Sequence, residues 1–402
     1  MSLLPVKEAL ARTRQGCHVL ESEQVPLSEA MRRILAVDLP ARFTQPAFDA
    51  SSMDGYAVRA ADVENVPASL KVIGEAPAGH AFAREVGPGE AVRIFTGAPV
   101  PKGADTVIMQ EVTSRDGDQV SITRSPPRPG HFVRPRGLDF AEGDILLREG
   151  RRLGPREIGL AAAMNHAALS VRRKPRVAIL ATGDELVFPG ETPRPDQIIA
   201  SNSFALAALV TAFGGEPVDL GLARDNRESL IEAGKKALDA DIIVTSGGAS
   251  VGDHDLVITV FEELGLKVDF WKVAQRPGKP MIFGHIGKAL FLGLPGNPVS
   301  SLVCARVYLK PMIDAMLGRP GDAGKPEMAQ IGAPLPANDE RQDFLRAALS
   351  KDDKGQLVAT AFGKQDSSMM NILARADCLL IRPPYAPASK PGEQAQILRF
   401  HF

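Results

Sequence analysis

The chain has 402 residues, 44% of them hydrophobic and 24% charged. That is ordinary for a globular protein in water and too long for one core, so roughly two to four domains are expected. A formal net charge of −1 and a pI near 6.7 exclude a general binder of nucleic acid or membrane surfaces, which needs a basic excess. The three cysteines, Cys17, Cys304 and Cys378, are too scattered for a disulfide framework or a zinc site and are expected to be buried bystanders.

The N-terminus carries Lys7, Glu8, Arg12 and Arg14 without a long apolar core, unlike a secretory signal. No apolar run approaches the roughly 20 residues of a membrane helix; the longest, residues 158–171, is broken by Asn165 and His166. A cytoplasmic location is therefore expected. Residues 5–14 and 28–35 read as two short helices, with Pro5 in a first turn and Leu10, Ile34 and Leu35 on apolar faces. From 45 to 142 the pattern changes to short β-like runs (70–73, 91–95, 106–109, 119–123) separated by Pro/Gly turns. Residues 155–168 are helical again. The reading is a β domain, 45–142, inserted into an elongated helical and linker domain made of 1–44 and 143–175.

Residues 176–316 alternate strand and helix. Strands are expected at 177–180, 218–222, 242–245 and 289–292. Helices are expected at 202–213, stopped by Gly214, at 225–238, with Asp225 and Glu228 at capping-box spacing, and at 256–264. Asn297-Pro298 opens a last long helix as cap and first residue. Repeated units of this kind predict a doubly wound α/β domain, 176–322, whose parallel sheet is covered on both faces. The Pro- and Gly-rich stretch 318–326 is a linker, and 323–402, with apolar runs at 356–359 and 378–381, reads as a small β domain. The fold class is thus multidomain α/β and β.

The chemistry concentrates at the expected carboxyl ends of the central strands, where such sheets bind ligands. Strand 242–245 runs into Ser246-Gly247-Gly248-Ala249-Ser250-Val251-Gly252-Asp253-His254-Asp255 and then a helix. Free N–H groups of a glycine loop and a helix N-terminus suit a phosphate. Asp253 and Asp255 in the same loop repel one, unless a divalent cation lies between. Two neighbouring strand ends add Asp184-Glu185 and Asp225, and a fourth adds Gly293-Leu294-Pro295-Gly296-Asn297-Pro298. Taken singly, Asp184, Asp225 and Asp255 read best as helix caps. Their coincidence on one sheet edge points instead to a hard cation, best Mg²⁺. Beside them Lys272, Arg276 and Lys279 lie in a segment stiffened by Pro277 and Pro280. A second reading takes Gly248-Ala249-Ser250-Val251-Gly252 as the G-x-S-x-G elbow of a hydrolase, with Ser250 as nucleophile, His285 as base and Asp269 or Asp314 as orienter.

Seven motifs, in one order along the chain, make it resemble the molybdopterin molybdenumtransferase family, which includes bacterial MoeA and the E domain of gephyrin. They are Ser52-Met53-Asp54-Gly55-Tyr56-Ala57, Phe95-Thr96-Gly97-Ala98-Pro99, Arg134-Pro135-Arg136-Gly137-Leu138-Asp139, Thr182-Gly183-Asp184-Glu185-Leu186, the loop from Ser246 to Asp255, Pro277-Gly278-Lys279-Pro280 and the Gly293 to Pro298 turn. The resemblance implies a central domain of the molybdopterin-binding type and a barrel-like C-terminal domain. It implies an Mg²⁺-assisted transfer of molybdenum from molybdate to adenylylated molybdopterin, with release of AMP. Unit charges 4 Å apart repel by about 4 kcal/mol at an effective dielectric of 20, so such anionic substrates require cations.

By the same resemblance Glu185, Asp225 and Asp255 serve the metal and the pyrophosphate. Ser246, Gly247, Gly248 and Ser250 contact phosphate or pterin. Lys272, Arg276 and Lys279 line the anion path, at Arg276 in place of a lysine found in some members. Arg346 and Ser367 complete a molybdate pocket, and Pro295 and Pro298 shape its floor. Asp54, Thr96, Arg134 and Asp139 come from the β domain. A homodimer with active sites shared between subunits is implied, with transient contacts to other enzymes of cofactor synthesis. A non-catalytic scaffold is the alternative, but the chain lacks the fused second module that gephyrin carries.

Overall fold

The computed structural model describes residues 3–126, 128–248, 256–319 and 325–400. Its centre is a six-stranded sheet in the order Glu216–Ala223, Arg176–Thr182, Ile242–Ser246, Ala289–Leu294, Ile282–Ile286, Leu266–Trp271. The first four strands are parallel, with Val177 opposite Ile242 and Ile242 opposite Leu290. The last two are antiparallel additions not foreseen in an all-parallel sheet. The cause is local: only Gly287 and Lys288 separate Ile286 from Ala289, too short for a crossover, and Gly287 takes the left-handed φ of +57° that a hairpin needs.

Alternation along the central strands splits the core in two. Val177 and Ile179 face helix Asn202–Phe213 and the long helix that begins at Pro298. Ala178 and Leu180 face helices Arg227–Ala237 and Leu256–Glu263. The helix from Pro298 to Met316 passes through a π-helical turn at Ala305–Leu309 and is buried nearly all round. It has sheet on one side and Phe344, Leu379, Ile381 and Leu398 of the C-terminal unit on the other. That unit is a closed five-stranded barrel of Gln342–Lys351, Leu357–Ala361, Glu327–Ile331, Gln394–Arg399 and Cys378–Arg382, the last pairing back to the first. The short strand Gln275–Arg276 adds to the barrel edge beside Gln342 and Asp343, tying the barrel to the central unit.

The β unit is a six-stranded sheet containing Gly55–Val58, Ala68–Ala76, Glu90–Ile94 and Thr106–Met109, with apolar clusters on both faces. The elongated region is less helical than the sequence suggests. Helix Val6–Gln15 packs through Val6 and Ala9 on the central core. Residues 28–35, however, form only the end of a 3₁₀ turn at Leu27–Glu29 followed by extended chain, with Ile34 bridging Arg152 and Leu35 bridging Val171. Leu35 packs into an irregular wall with Leu153, Leu169 and Met164, whereas Ile34 turns to the central core, so their apolar spacing serves two cores instead of one helix face. Strand Ser22–Pro26 pairs with Ala168–Arg172, which helix Pro155–Ala163 precedes in the chain. Cys304 and Cys378 are buried and Cys17 half-buried; burial pushes each thiol up to about 12.

Candidate functional site

A cavity of about 600 Å³ opens at the carboxyl ends of the parallel strands, lined among others by Thr182, Glu185, Asn202, Asp225, Ser246, Gly247 and Ser368. Backbone strain is concentrated where strand becomes loop. Gly247 sits at φ +102°, and a Cβ there would lie 2.5 Å from the Thr182 carbonyl oxygen. Gly183 sits at φ +151°, and a Cβ there would strike the Glu185 carboxylate at 2.5 Å. At Gly247 the clash is with backbone and excludes a side chain; at Gly183 the φ disfavours one and a Cβ would displace the Glu185 carboxylate from the cavity wall.

Asn202 stitches the wall together. Its Nδ2 donates to Ser246 Oγ and to the Gly296 carbonyl, each at 2.8 Å, joining a helix start, a strand end and the proline turn. Asn297 Nδ2 donates to Ser367 Oγ at 3.0 Å, and the Val299 N–H donates to the Ser367 carbonyl at 3.1 Å. The proline turn, with Pro295 and Pro298 in the lining, thus carries the barrel loop that presents Ser368. Thr182 Oγ1 is buried with no hydrogen-bond partner among the described residues. A buried hydroxyl without a partner carries a desolvation cost that a ligand or water at this wall would remove.

The acidic part of the wall comes from two adjacent strand ends. Glu185 and Asp225 line the cavity, and the Asp225 N–H donates to Asp184 Oδ1 at 3.2 Å. Burial, reinforced by the charges of Asp184 and Glu185, raises the Asp225 carboxyl above the ordinary aspartate range. The helix behind is capped by Asn226, whose Oδ1 accepts from the Ser229 N–H at 2.9 Å. The cap expected of Asp225 is thus made by its neighbour, and the Asp225 carboxylate remains for the cavity. Asp253, Asp255 and Ser250 lie outside the described residues. Among the described residues no three acidic, histidine or cysteine side chains form a metal cage.

The cationic strip is arranged differently from expectation. Arg276 does not line the cavity: Nε and NH2 form a fork to Asp343 at 2.8 and 3.0 Å, and NH2 also reaches Asn338 Oδ1 at 3.1 Å. Its partner is the barrel edge that the adjoining strand pairs with, so geometry commits the guanidinium to the seam. Lys272, at φ +75°, holds Nζ 4.3 Å from the Trp271 ring centroid, and Lys279 is exposed next to Pro280, which does line the cavity.

Arg346 is 1% exposed. Its Nε donates to Gln365 Oε1 at 3.0 Å and NH1 to the Asp366 carbonyl at 2.6 Å, so it braces the loop carrying Ser367 and Ser368 from behind. Asp54 and Thr96 form a pair in the β unit. Asp54 Oδ1 accepts from the Thr96 N–H and Oγ1, both at 2.8 Å, and these bonds hold the carboxyl below its ordinary range. Neither residue, nor the exposed Arg134 and Asp139, lines this chain's own strand-end cavity. Of the hydrolase reading, Ser250 lies outside the described residues, and the other candidates are dispersed. His285 and Asp269 line a separate cavity with Arg12 and Lys267, while Asp314 is buried in ion pairs with Lys310 and Arg319, each 2.5 Å.

Sequence reasoning passed over Asn202 as a bonding residue and gave Thr182 and Asp184 no separate role. Asn202 is legible only as a polar helix start, since its two partners lie 44 and 94 residues away.

Comparison with known proteins fits this architecture. Residues 4–165 match the MoeA N-terminal region (domain I and II), 178–315 a probable molybdopterin binding domain, and 328–400 the MoeA C-terminal region (domain IV). The chain belongs to the molybdopterin molybdenumtransferase family. The molybdopterin molybdenumtransferase of Nostoc sp. is 39% identical over 389 residues, 94% of this chain and 89% of that one. That of Haemophilus influenzae is 36% identical over 383 residues, 95% and 94% of the two chains. A crystal structure of the molybdopterin biosynthesis MoeA protein from Pyrococcus horikoshii superposes with a TM-score of 0.85 at 34% identity, covering 99% of both chains. The family is one of transferases in molybdenum cofactor biosynthesis, so the chain is an enzyme with molybdopterin as its concern.

Proposed function

We propose that the strand-end cavity binds adenylylated molybdopterin and molybdate, and that the enzyme transfers molybdenum to the pterin with release of AMP in an Mg²⁺-dependent reaction. The observation that carries this reading is the junction of the Ser246-Gly247-Gly248 backbone with the Glu185 and Asp225 carboxylates in one cavity of about 600 Å³. Bare N–H groups suit phosphoryl oxygens, and the crowded carboxylates suit a hard cation.

The donor set fits Mg²⁺: Asp225 is already raised by burial and by unbalanced acidic neighbours, a condition a divalent cation would reverse. Glu185 and Asp225 would hold the ion, together with Asp255. Bound there, Mg²⁺ would offset the charge that develops on the pyrophosphate as the adenylate bond breaks. Ser246 and Thr182 orient the substrate from the wall, Asn202 fixes Ser246, and Pro295 and Pro298 hold the floor against Asn297. Lys279 and Lys272 attract the oxyanions, whereas Arg276 and Arg346 act by fastening the barrel to the cavity rim.

The enzyme is further proposed to work in the cytoplasm as a homodimer of four-domain subunits, divided at 1–44 with 143–175, 45–142, 176–322 and 323–402, and to meet other cofactor-synthesis enzymes transiently. No helix among the described residues is long and apolar enough to cross a membrane. Asp54, Thr96, Arg134 and Asp139 are solvent-exposed and remote from the lining of their own chain's cavity. A two-fold partner would bring the same four residues to it, since a closed dimer repeats each contact symmetrically.

The test is AMP release from adenylylated molybdopterin by the purified protein with molybdate and Mg²⁺. Mixing inactive Asp54→Ala and Asp225→Ala subunits should rebuild one complete site per heterodimer. After random reassortment that restores roughly a quarter of wild-type activity. No recovery despite heterodimers confirmed by tagged pull-down would place both residues in one chain's site.

A further inference from the structure

A second cavity, about 760 Å³, lies on the elongated region, and its chemistry is opposite to that of the strand-end site. It is lined by Arg148, Arg151, Arg152, Arg156 and Arg319 against only Glu149 and Glu157 as acids. The arginines are brought together largely by backbone hydrogen bonds, with the Asp38 carboxylate fastening the turn. The turn that carries Arg148 to Arg152 is held by the Gly150 N–H on the Leu35 carbonyl at 2.9 Å, the Leu35 N–H on the Arg151 carbonyl at 3.0 Å and the Glu149 N–H on Asp38 Oδ1 at 2.9 Å. The Arg32 N–H donates to the Leu153 carbonyl at 2.8 Å, which sets Arg32 alongside Arg152. Arg156 sits in the first turn of helix Pro155–Ala163.

Most of the acids nearby are already engaged. Arg148 pairs with Asp38 at 2.7 Å, and Arg151 pairs with Glu157, which also accepts from the Gly154 N–H at 3.0 Å. Glu149 is taken by Arg172, and Asp314 is shared between Lys310 and Arg319. Among the described residues no carboxylate pairs with Arg152 or Arg156, and neither side chain donates a hydrogen bond within the protein. Arg152 is half-buried; burial, with Arg319 and Arg32 close by, lowers its affinity for its own proton, and the charge of Asp314 offsets this only in part. A partly desolvated guanidinium among like charges, whose neighbouring carboxylate Asp314 is already committed to Lys310 and Arg319, is an arrangement that a multiply charged anion would relieve.

We propose that this cavity binds a tetrahedral phosphoryl-type dianion, free or as a phosphomonoester, held by Arg152 and Arg156 with Arg319 beside them. The fork geometry of guanidinium matches two oxygens of such an anion, and the fixed turn presents the groups before binding. The site is separate from the strand-end cavity, sharing no lining residue with it, and the proposal stands whether or not the reaction assigned there is right.

Titration calorimetry with inorganic phosphate at low ionic strength tests it on the full-length protein, using wild type, Arg152→Gln/Arg156→Gln and Lys279→Ala. Phosphate binding should survive in Lys279→Ala and weaken by about tenfold or more in the double variant, the loss of charge-assisted hydrogen bonds. Displacement of phosphate by AMP would assign a phosphomonoester, and failure of AMP to compete would assign the free anion. Thermal unfolding in phosphate-free buffer supplies the independent check. The double variant should melt at or above the wild-type temperature, since like-charge crowding is relieved. Equal phosphate affinity in wild type and double variant overturns the proposal. So does a lower melting temperature of the double variant in phosphate-free buffer, which would make the two arginines structural.

Discussion

The two cavities are built from opposite materials and by opposite means. The strand-end cavity owes its shape to a parallel sheet: strand carboxyl ends deliver Glu185, Asp225 and Ser246 to one rim, and glycines at 183 and 247 bare the backbone there. The arginine cavity owes its shape to irregular chain, a bridged turn and the first turn of a short helix. The first gathers negative charge and bare N–H groups and therefore calls for a cation together with an anionic substrate. The second gathers positive charge and calls for an anion alone. Charge is crowded in both, and in both one group is shifted toward its neutral form, Asp225 upward and Arg152 downward. Crowding of like charge marks a place where a counter-charge belongs, whichever its sign.

The largest effect that would break this comparison comes from Asp225→Asn. The change keeps shape and removes one charge, so AMP release should fall about hundredfold or more, a loss of a few kcal/mol of transition-state stabilisation. The circular dichroism spectrum should be unchanged. Retention of near-normal turnover by this folded variant would return Asp225 to a structural role. Asn202→Ala comes next. It frees Ser246 and Gly296 from one another while leaving every carboxylate in place, and about tenfold lower kcat is expected from the loosened wall. A kcat equal to wild type would show that Ser246 is held well enough by its strand.

The pH dependence of cation binding sharpens the same contrast. Asp225 has a folded-state pKa above its unfolded value. In the absence of a cation its contribution to stability is therefore fully present below the unfolded pKa and lost as pH rises through the folded pKa. A bound divalent cation opposes that loss, because it interacts with the ionised form. The rise in melting temperature produced by Mg²⁺ should thus be largest at neutral pH and fade as pH falls through the raised pKa of Asp225. In Asp225→Asn that part of the pH dependence should vanish. A rise that is flat with pH in the wild type would remove Asp225 from the cation's surroundings.

How far the sequence discloses the molecule depends on the range of the interactions involved. The central sheet was legible because each βα unit writes its own apolar period, and strand ends fall where the run of Val, Ile and Leu stops. The two antiparallel edge strands were not, since Gly287-Lys288 is a weak hairpin signal inside an α/β pattern. Residues 28–35 misled because Leu35 packs with Leu153 and Val171 and Ile34 bridges Arg152, partners more than a hundred residues distant, while the Ile34 side chain turns to the central core. At the strand-end cavity, Gly183, Glu185, Asp225, Gly247 and Gly248 lie where their place after strands suggests, while Asp253 and Asp255 fall outside the described residues. Arg276 and Arg346 were not placed correctly by residue type alone: each is a cation close to an anion site that the fold commits to Asp343 or to the loop at Gln365 and Asp366.

The smallest effect separates two neighbours in the chain. Asp225 and Asn226 stand at the same helix start, and by residue type either could cap it. The structure gives the capping bond to Asn226, whose Oδ1 takes the Ser229 N–H at 2.9 Å, and leaves Asp225 in the cavity lining with Glu185. Asn226→Ala should therefore cost about 1 kcal/mol of stability, the usual loss for an N-cap, with AMP release unchanged. The denaturant midpoint of the purified variant reads the first effect, and the turnover assay reads the second. Asp225→Asn should show the reverse, with turnover lost and the cap intact. If Asn226→Ala unfolds like the wild type while Asp225→Ala, which removes any cap where Asn would keep it, loses about 1 kcal/mol, the two roles are exchanged, and the acidic edge of the cavity becomes a row of helix caps.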